Sequence, residues 1–186
     1  MKHVNVALFV PHAGCPHQCS FCNQKTISGS IKPLTPEDVT AACDIAKNGG
    51  VTRETSEIAF FGGSFTAVDR DYMVSLLEAA KPYIDGGYFG GIRISTRPDA
   101  IDDERLEILK KYHVTSIELG AQSMDDSVLK INRRGHTAKD VENASHLIKN
   151  YGFSLGLQMM TGLMGDTDEK CIKTAERLIA LSPDTV

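Results

Sequence analysis

A chain of 186 residues with 41% apolar and 24% charged side chains has an ordinary globular composition and is long enough to bury a core. Its formal net charge of −4 supplies no basic field that would by itself point to nucleic acid. No stretch approaches the roughly 18 apolar residues of a membrane span, and the apolar run near the N-terminus is too short for a secretory signal. One domain over residues 1–186, in a cytoplasmic protein with no membrane partner, is the expectation.

Apolar runs alternate with segments of helical period, the pattern of βα units around a parallel sheet. Strands are expected at Val4 to Val10, Glu57 to Phe61, Gly91 to Thr96, Ser116 to Gly120 and Ser154 to Met160. Helices are expected over 37–48, 69–84, 102–112, 137–150 and 168–181. Met73, Leu76, Leu77, Ala80 and Ile84 make the clearest stripe, with Asp69 to cap its start and Gly86-Gly87 to stop it. Thr35-Pro36-Glu37-Asp38 reads as a cap, a first-turn proline and acids that suit the positive end of the helix dipole. Near the end, Ser182 to Val186 turns toward a sixth strand that is cut off at once, so a fragment of a longer protein is expected.

Just after the first strand, Cys15, Cys19 and Cys22 form a CxxxCxxC triplet. Five cysteines are an odd count with three inside eight residues, which argues against a disulfide framework and for thiols serving a metal. Three soft thiolates can hold three corners of a [4Fe-4S] cube and leave the fourth iron open. Zinc held by the triplet with His12 or His17 is the competing reading, and a closed electron-transfer cluster would need Cys43 or Cys171 as a fourth thiolate. Both of these last cysteines fall on helical apolar stripes and read as core residues. Phe21 offers a flat apolar face beside the third cysteine.

Every other unusual cluster follows a predicted strand at its C-terminal end, where parallel α/β folds place their sites. Gly62-Gly63-Ser64 follows the second strand and lets a ligand approach the backbone. Arg97-Pro98-Asp99 follows the third, Gln122-Ser123 ends the fourth, and Gly162 to Asp166 follows the fifth. In Arg133-Arg134-Gly135-His136-Thr137 a guanidinium can fork onto a carboxylate while Thr137 caps the next helix. Lys110-Lys111 reads as a solvated helix end, and His136 by itself as a hydrogen-bonded loop histidine.

Taken jointly from Cys15 to Asp166, these motifs resemble the radical S-adenosylmethionine (SAM) enzymes. Within that family they are similar to the radical-SAM domain of the Elongator catalytic subunit, and more distantly to oxygen-independent coproporphyrinogen oxidase. The resemblance implies a partial (β/α)₆ TIM-like barrel, here cut off at the start of strand 6. It implies that Cys15, Cys19 and Cys22 hold a [4Fe-4S] cluster whose open iron is chelated by SAM. It further implies that Gly62, Gly63 and Ser64 contact the SAM amino group, Arg134 its carboxylate, and Gln122 and Gln158 its ribose, with Phe21 near the adenine. A one-electron reductant of the flavodoxin or ferredoxin kind and a tRNA wobble uridine as substrate follow from the same likeness. The alternatives are a small-molecule substrate of porphyrinogen type and a zinc module without catalysis. Two positions depart from the pattern: Ser95 stands where the relatives usually carry glutamate, and Met164 where they carry the proline of a Gly-Leu-Pro-Gly turn.

Overall fold

The computed structural model describes residues 4–10, 19–22 and 32–186. Five strands, β1 (Val4–Val10), β2 (Ser56–Gly62), β3 (Ile92–Thr96), β4 (Val114–Gln122) and β5 (Ser154–Met159), lie side by side in sequence order and all parallel. Helix α1 (Pro36–Asn48) links β1 to β2, α2 (Arg70–Asp85) links β2 to β3, and α3 (Asp103–Lys111) links β3 to β4. A short α4 (Asp126–Ile131) and a longer α5 (Ala138–Asn150) lie between β4 and β5, and α6 (Asp168–Ala180) follows β5. Strand order that tracks the sequence without a reversal makes the wall of a barrel; a doubly wound sheet would turn back on itself. Thr185 adds a parallel bridge to Gly156, the first step of a sixth strand.

Alternation sorts the strand residues into two faces. Leu8 and Val10, Ile58 and Phe60, Ile92 and Ile94, Ile117 and Leu119, and Leu155 and Leu157 face the helices and are at most 4% exposed. Burying each removes apolar surface worth roughly 1.5–3 kcal/mol, so this layer drives the fold. Cys43 belongs to it, fully buried on α1, and burial pushes its thiol up to about 12. The opposite, concave face carries Glu57, Arg93, Ser95, Glu118 and Gln158, joined by hydrogen bonds.

Local chemistry explains the helix starts. Thr35 and Thr137 each close a capping box with Asp38 and Asp140, and Asp69, Asp102, Asp125 and Thr167 accept from the first turns of α2, α3, α4 and α6. Lys110 and Lys111 end α3 at its negative pole, as expected for a solvated helix end. Three pieces go beyond the sequence expectation: α4 and two 3₁₀ turns, Phe65–Ala67 and Pro98–Ala100. Each is too short to show a period. Among the described residues no helix is long and apolar enough to cross a membrane.

Candidate active site

The C-terminal ends of the strands meet the segment 19–22, which is pinned from the far side of the sequence. Cys22 N–H donates to the Cys19 carbonyl at 3.0 Å, closing a tight turn. Ser20 N–H donates to the Asn132 carbonyl at 3.2 Å, and Ser20 Oγ donates to Asn132 Oδ1 at 2.6 Å. Asn132, 1% exposed, also gives its amide protons to the carbonyls of Val128 (2.8 Å) and Met164 (2.9 Å). One buried amide therefore ties together the cysteine segment, the end of α4 and the turn after β5. Asn132 is absent from the sequence expectation, because nothing local marks a residue whose partners are 4, 32 and 112 positions away.

Arg134 is the second hub, 8% exposed. Its Nη1 donates to Cys19 Sγ at 3.5 Å and its Nη2 to the Gly120 carbonyl at 2.6 Å, while its guanidinium lies 5.6 Å from the centre of the Phe21 ring. The neighbouring Arg133 carbonyl accepts from Cys19 Sγ at 3.7 Å. Arg97 grips Asp99 through Nε (2.8 Å) and Nη2 (2.7 Å) and reaches the Arg134 carbonyl at 3.1 Å. Burial raises the Asp99 carboxyl, but the Arg97 fork overrides it and holds the group below the usual carboxylate range. His136 is 5% exposed with Nε2 3.2 Å from the Ala121 carbonyl. Burial first, and the Arg134 charge second, push it down to about 4, so it is neutral at pH 7.

The remaining predicted residues occupy the same end of the sheet. Gly62 has φ +118°, and a Cβ there would stand 2.5 Å from the Val10 carbonyl oxygen, so only glycine fits. Gly63 N–H donates to that same oxygen at 3.2 Å. Ser64 is buried and its hydroxyl is spent on Thr96 Oγ1 at 2.9 Å, which ties the loop after β2 to the end of β3. Gln122 sits at a bulge in β4 with φ +66°, which turns its side chain out of the regular alternation. Gln158 Nε2 donates to Glu118 Oε2 at 2.8 Å. Ser95 lies opposite Glu118 in register and its hydroxyl donates to the same oxygen at 3.3 Å; a glutamate at 95 would set two carboxylates side by side. Met164 is 63% exposed in a turn closed by Asp166 N–H on the Leu163 carbonyl at 2.9 Å.

The sequence signature of the Radical SAM superfamily matches residues 9–178. The chain belongs to that superfamily. The chain is 25% identical over 198 residues to a tRNA uridine(34) acetyltransferase of Dehalococcoides mccartyi, an alignment that covers 89% of this chain and 43% of that protein. Its fold superposes on the archaeal Elp3 of Methanocaldococcus infernus with a TM-score of 0.70 at 20% identity, covering 96% of this chain and 43% of that one. It superposes on coproporphyrinogen III oxidase from Escherichia coli, a radical SAM enzyme, with a TM-score of 0.69 at 17% identity, covering 98% and 43%. The chain thus spans less than half the length of each of these proteins.

The donor set fits the cofactors that radical SAM enzymes use. Cys19 and Cys22 are soft sulfur donors on one turn; Cys15, with His12 and His17, lies outside the described residues. Among the described residues no three His, Cys, Asp or Glu side chains gather to hold a metal. Cys43 is enclosed by the core. Cys171 is half-buried at the margin of α6, not in the core as its stripe implied, and gives its thiol proton to Asp166 Oδ2 at 3.0 Å. Neither offers a free fourth thiolate. Arg134 Nε is buried with no acceptor among the described residues, a donor that an incoming carboxylate would satisfy.

Proposed function

We propose that Cys15, Cys19 and Cys22 hold a [4Fe-4S] cluster and that this chain binds SAM across the strand ends beside it. The observation that carries this reading is Arg134, which touches Cys19 sulfur, packs over Phe21 and has one buried donor without an acceptor among the described residues. When bound, cluster and SAM would together supply one-electron reductive cleavage of the sulfonium and, through it, hydrogen abstraction from a substrate. The electron comes from a one-electron donor of flavodoxin or ferredoxin type.

The chain's own residues bind and orient. Asn132 and Ser20 hold the cysteine turn against the strand ends, and the Arg134 guanidinium presents its free N–H to the carboxylate of the methionine moiety. Gly62 and Gly63 would receive the amino group at their backbone carbonyls, Ser64 anchors that loop through Thr96, and Phe21 would border the adenine. Gln122 and Gln158 would hold the ribose. Orientation of this kind is the protein's share where the cofactor carries the hard chemistry.

For the substrate we propose a tRNA wobble uridine, on the strength of the alignment to the tRNA uridine(34) acetyltransferase, which covers 89% of this chain. Acetyl transfer itself is not assigned to these 186 residues.

Anaerobic reconstitution followed by iron and sulfide analysis and electron paramagnetic resonance tests the reading. Wild-type protein is expected to take up about four irons per chain and show a reduced-cluster signal that SAM perturbs. Cys19→Ala should lose that signal and all SAM cleavage. Zinc uptake in place of iron, or near-wild-type cleavage by Cys19→Ala, overturns it. Methionine and 5′-deoxyadenosine release with tRNA but not with porphyrinogen supports the substrate.

A further inference from the structure

Gln158 stands opposite Gly120 in the β4–β5 register, and the Gly120 carbonyl is the group that accepts from Arg134. The glutamine is exposed on the concave face, with its Nε2 engaged by Glu118 at 2.8 Å. Its Oε1 accepts nothing among the described residues. Glu118 is itself held by its neighbours: Arg93 Nη1 donates to Oε1 at 3.0 Å and Ser95 Oγ to Oε2 at 3.3 Å. Arg93 is in turn anchored by Nε on Glu57 Oε2 at 3.0 Å. The chain of contacts crosses the concave face from β2 to β5, and its charged members are 16–20% exposed at the side chain.

A primary amide can present either its oxygen or its nitrogen, and a free glutamine on a strand end samples both. A carboxylate only accepts, so Glu118 admits the Nε2 edge and repels the Oε1 edge. Arg93, planar and always charged, fixes the carboxylate itself. We propose that Glu118 is a positioning residue of the cofactor site, locking the Gln158 amide so that its carbonyl oxygen is the edge offered to a ribose hydroxyl. The proposal rests on the SAM-binding reading above and adds a part to it: the acceptor is preorganised by an ion-paired carboxylate on the neighbouring strand. Preorganisation of this kind lowers the ordering cost paid on binding.

Glu118→Gln tests it, because a glutamine at 118 keeps the shape but pairs with either edge of Gln158. In cofactor-free protein labelled with ¹⁵N-glutamine, Gln158 should give one sharp side-chain amide pair in the wild type and a shifted or broadened pair in Glu118→Gln. In cluster-loaded protein, Glu118→Gln and Gln158→Ala should each weaken SAM binding by roughly two- to tenfold. The double variant should be no weaker than Gln158→Ala, since a residue acting through another adds nothing once that other is gone. Iron content should be unchanged in all three.

Additive losses in the double variant, an unaltered Gln158 amide signal, or unchanged SAM affinity in either single variant overturns the proposal while leaving SAM binding itself intact. Wild-type protein that takes up no cluster or no SAM overturns the underlying reading and the proposal with it.

Discussion

Arg134 and His136 sit two residues apart and are buried for different ends. Arg134 keeps a donor open among the described residues, so under the SAM-binding proposal Arg134→Ala should leave iron content unchanged and weaken SAM binding by roughly 1.5–3 kcal/mol, read by calorimetric titration. Unchanged affinity would remove the guanidinium from the site. His136 is a packing group kept neutral, with a pKa of about 4 against an ordinary 6.5. Above pH 6.5 it is neutral in both folded and unfolded chains and the full stability is present. As pH falls from 6.5 toward 4, the unfolded chain binds a proton that the folded chain refuses, and stability drops by up to ~1.4 kcal/mol per pH unit. Urea unfolding across this range should show that slope, and His136→Asn should flatten it; an equal slope in both would assign the effect to other groups. Spacing and neighbours mark the cysteines and Arg134 as candidates in the sequence, and the fold brings Arg134 against Cys19. Asn132 and the Arg97 fork were not, since their worth lies in partners that only the fold brings near.

At the level of elements, the five strands and five longer helices follow from apolar period and capping residues, with boundaries shifted by only a few positions. β4 departs most, running from Val114 to Gln122 where its apolar pattern marks 116–120, because the bulge at its end keeps Gln122 in the ladder despite a left-handed backbone. The short α4 carries only two buried apolar residues, Val128 and Leu129, and its Asp125 cap was the one signal available. Helix α5 matters to the site through its cap: Thr137 closes a reciprocal pair with Asp140 directly after the Arg134 loop. Thr137→Ala should cost about 1 kcal/mol in chemical denaturation and raise hydrogen exchange in the first turn of α5. Protection unchanged at Asp140 N–H would show that the loop, not the cap, sets the helix start.

For the whole molecule, an open arc of parallel strands has two edges to manage. On the β5 side the chain does so itself: Asp184 N–H donates to the Leu155 carbonyl at 2.8 Å, the Asp184 carboxylate accepts from Leu155 N–H at 2.8 Å, and Leu157 N–H reaches the Thr185 carbonyl at 3.0 Å. Asp184→Ala strips the acceptor from the N–H of a buried strand residue and should cost about 1–3 kcal/mol, seen as exchange that becomes faster at Leu155 and stays unchanged at Ile117 within β4. Unchanged exchange at both would mean the edge is held by its apolar layer alone. The Asn132 clasp has a temporal counterpart. Ser20 and Asn132 are 112 residues apart, so on a ribosome adding about 5–20 residues per second the cysteine turn waits several seconds or more for the residue that seats it. During that interval Cys19 and Cys22 lack the clasp that holds their turn against the strand ends, so the turn takes its folded place only after the second half of the chain is made.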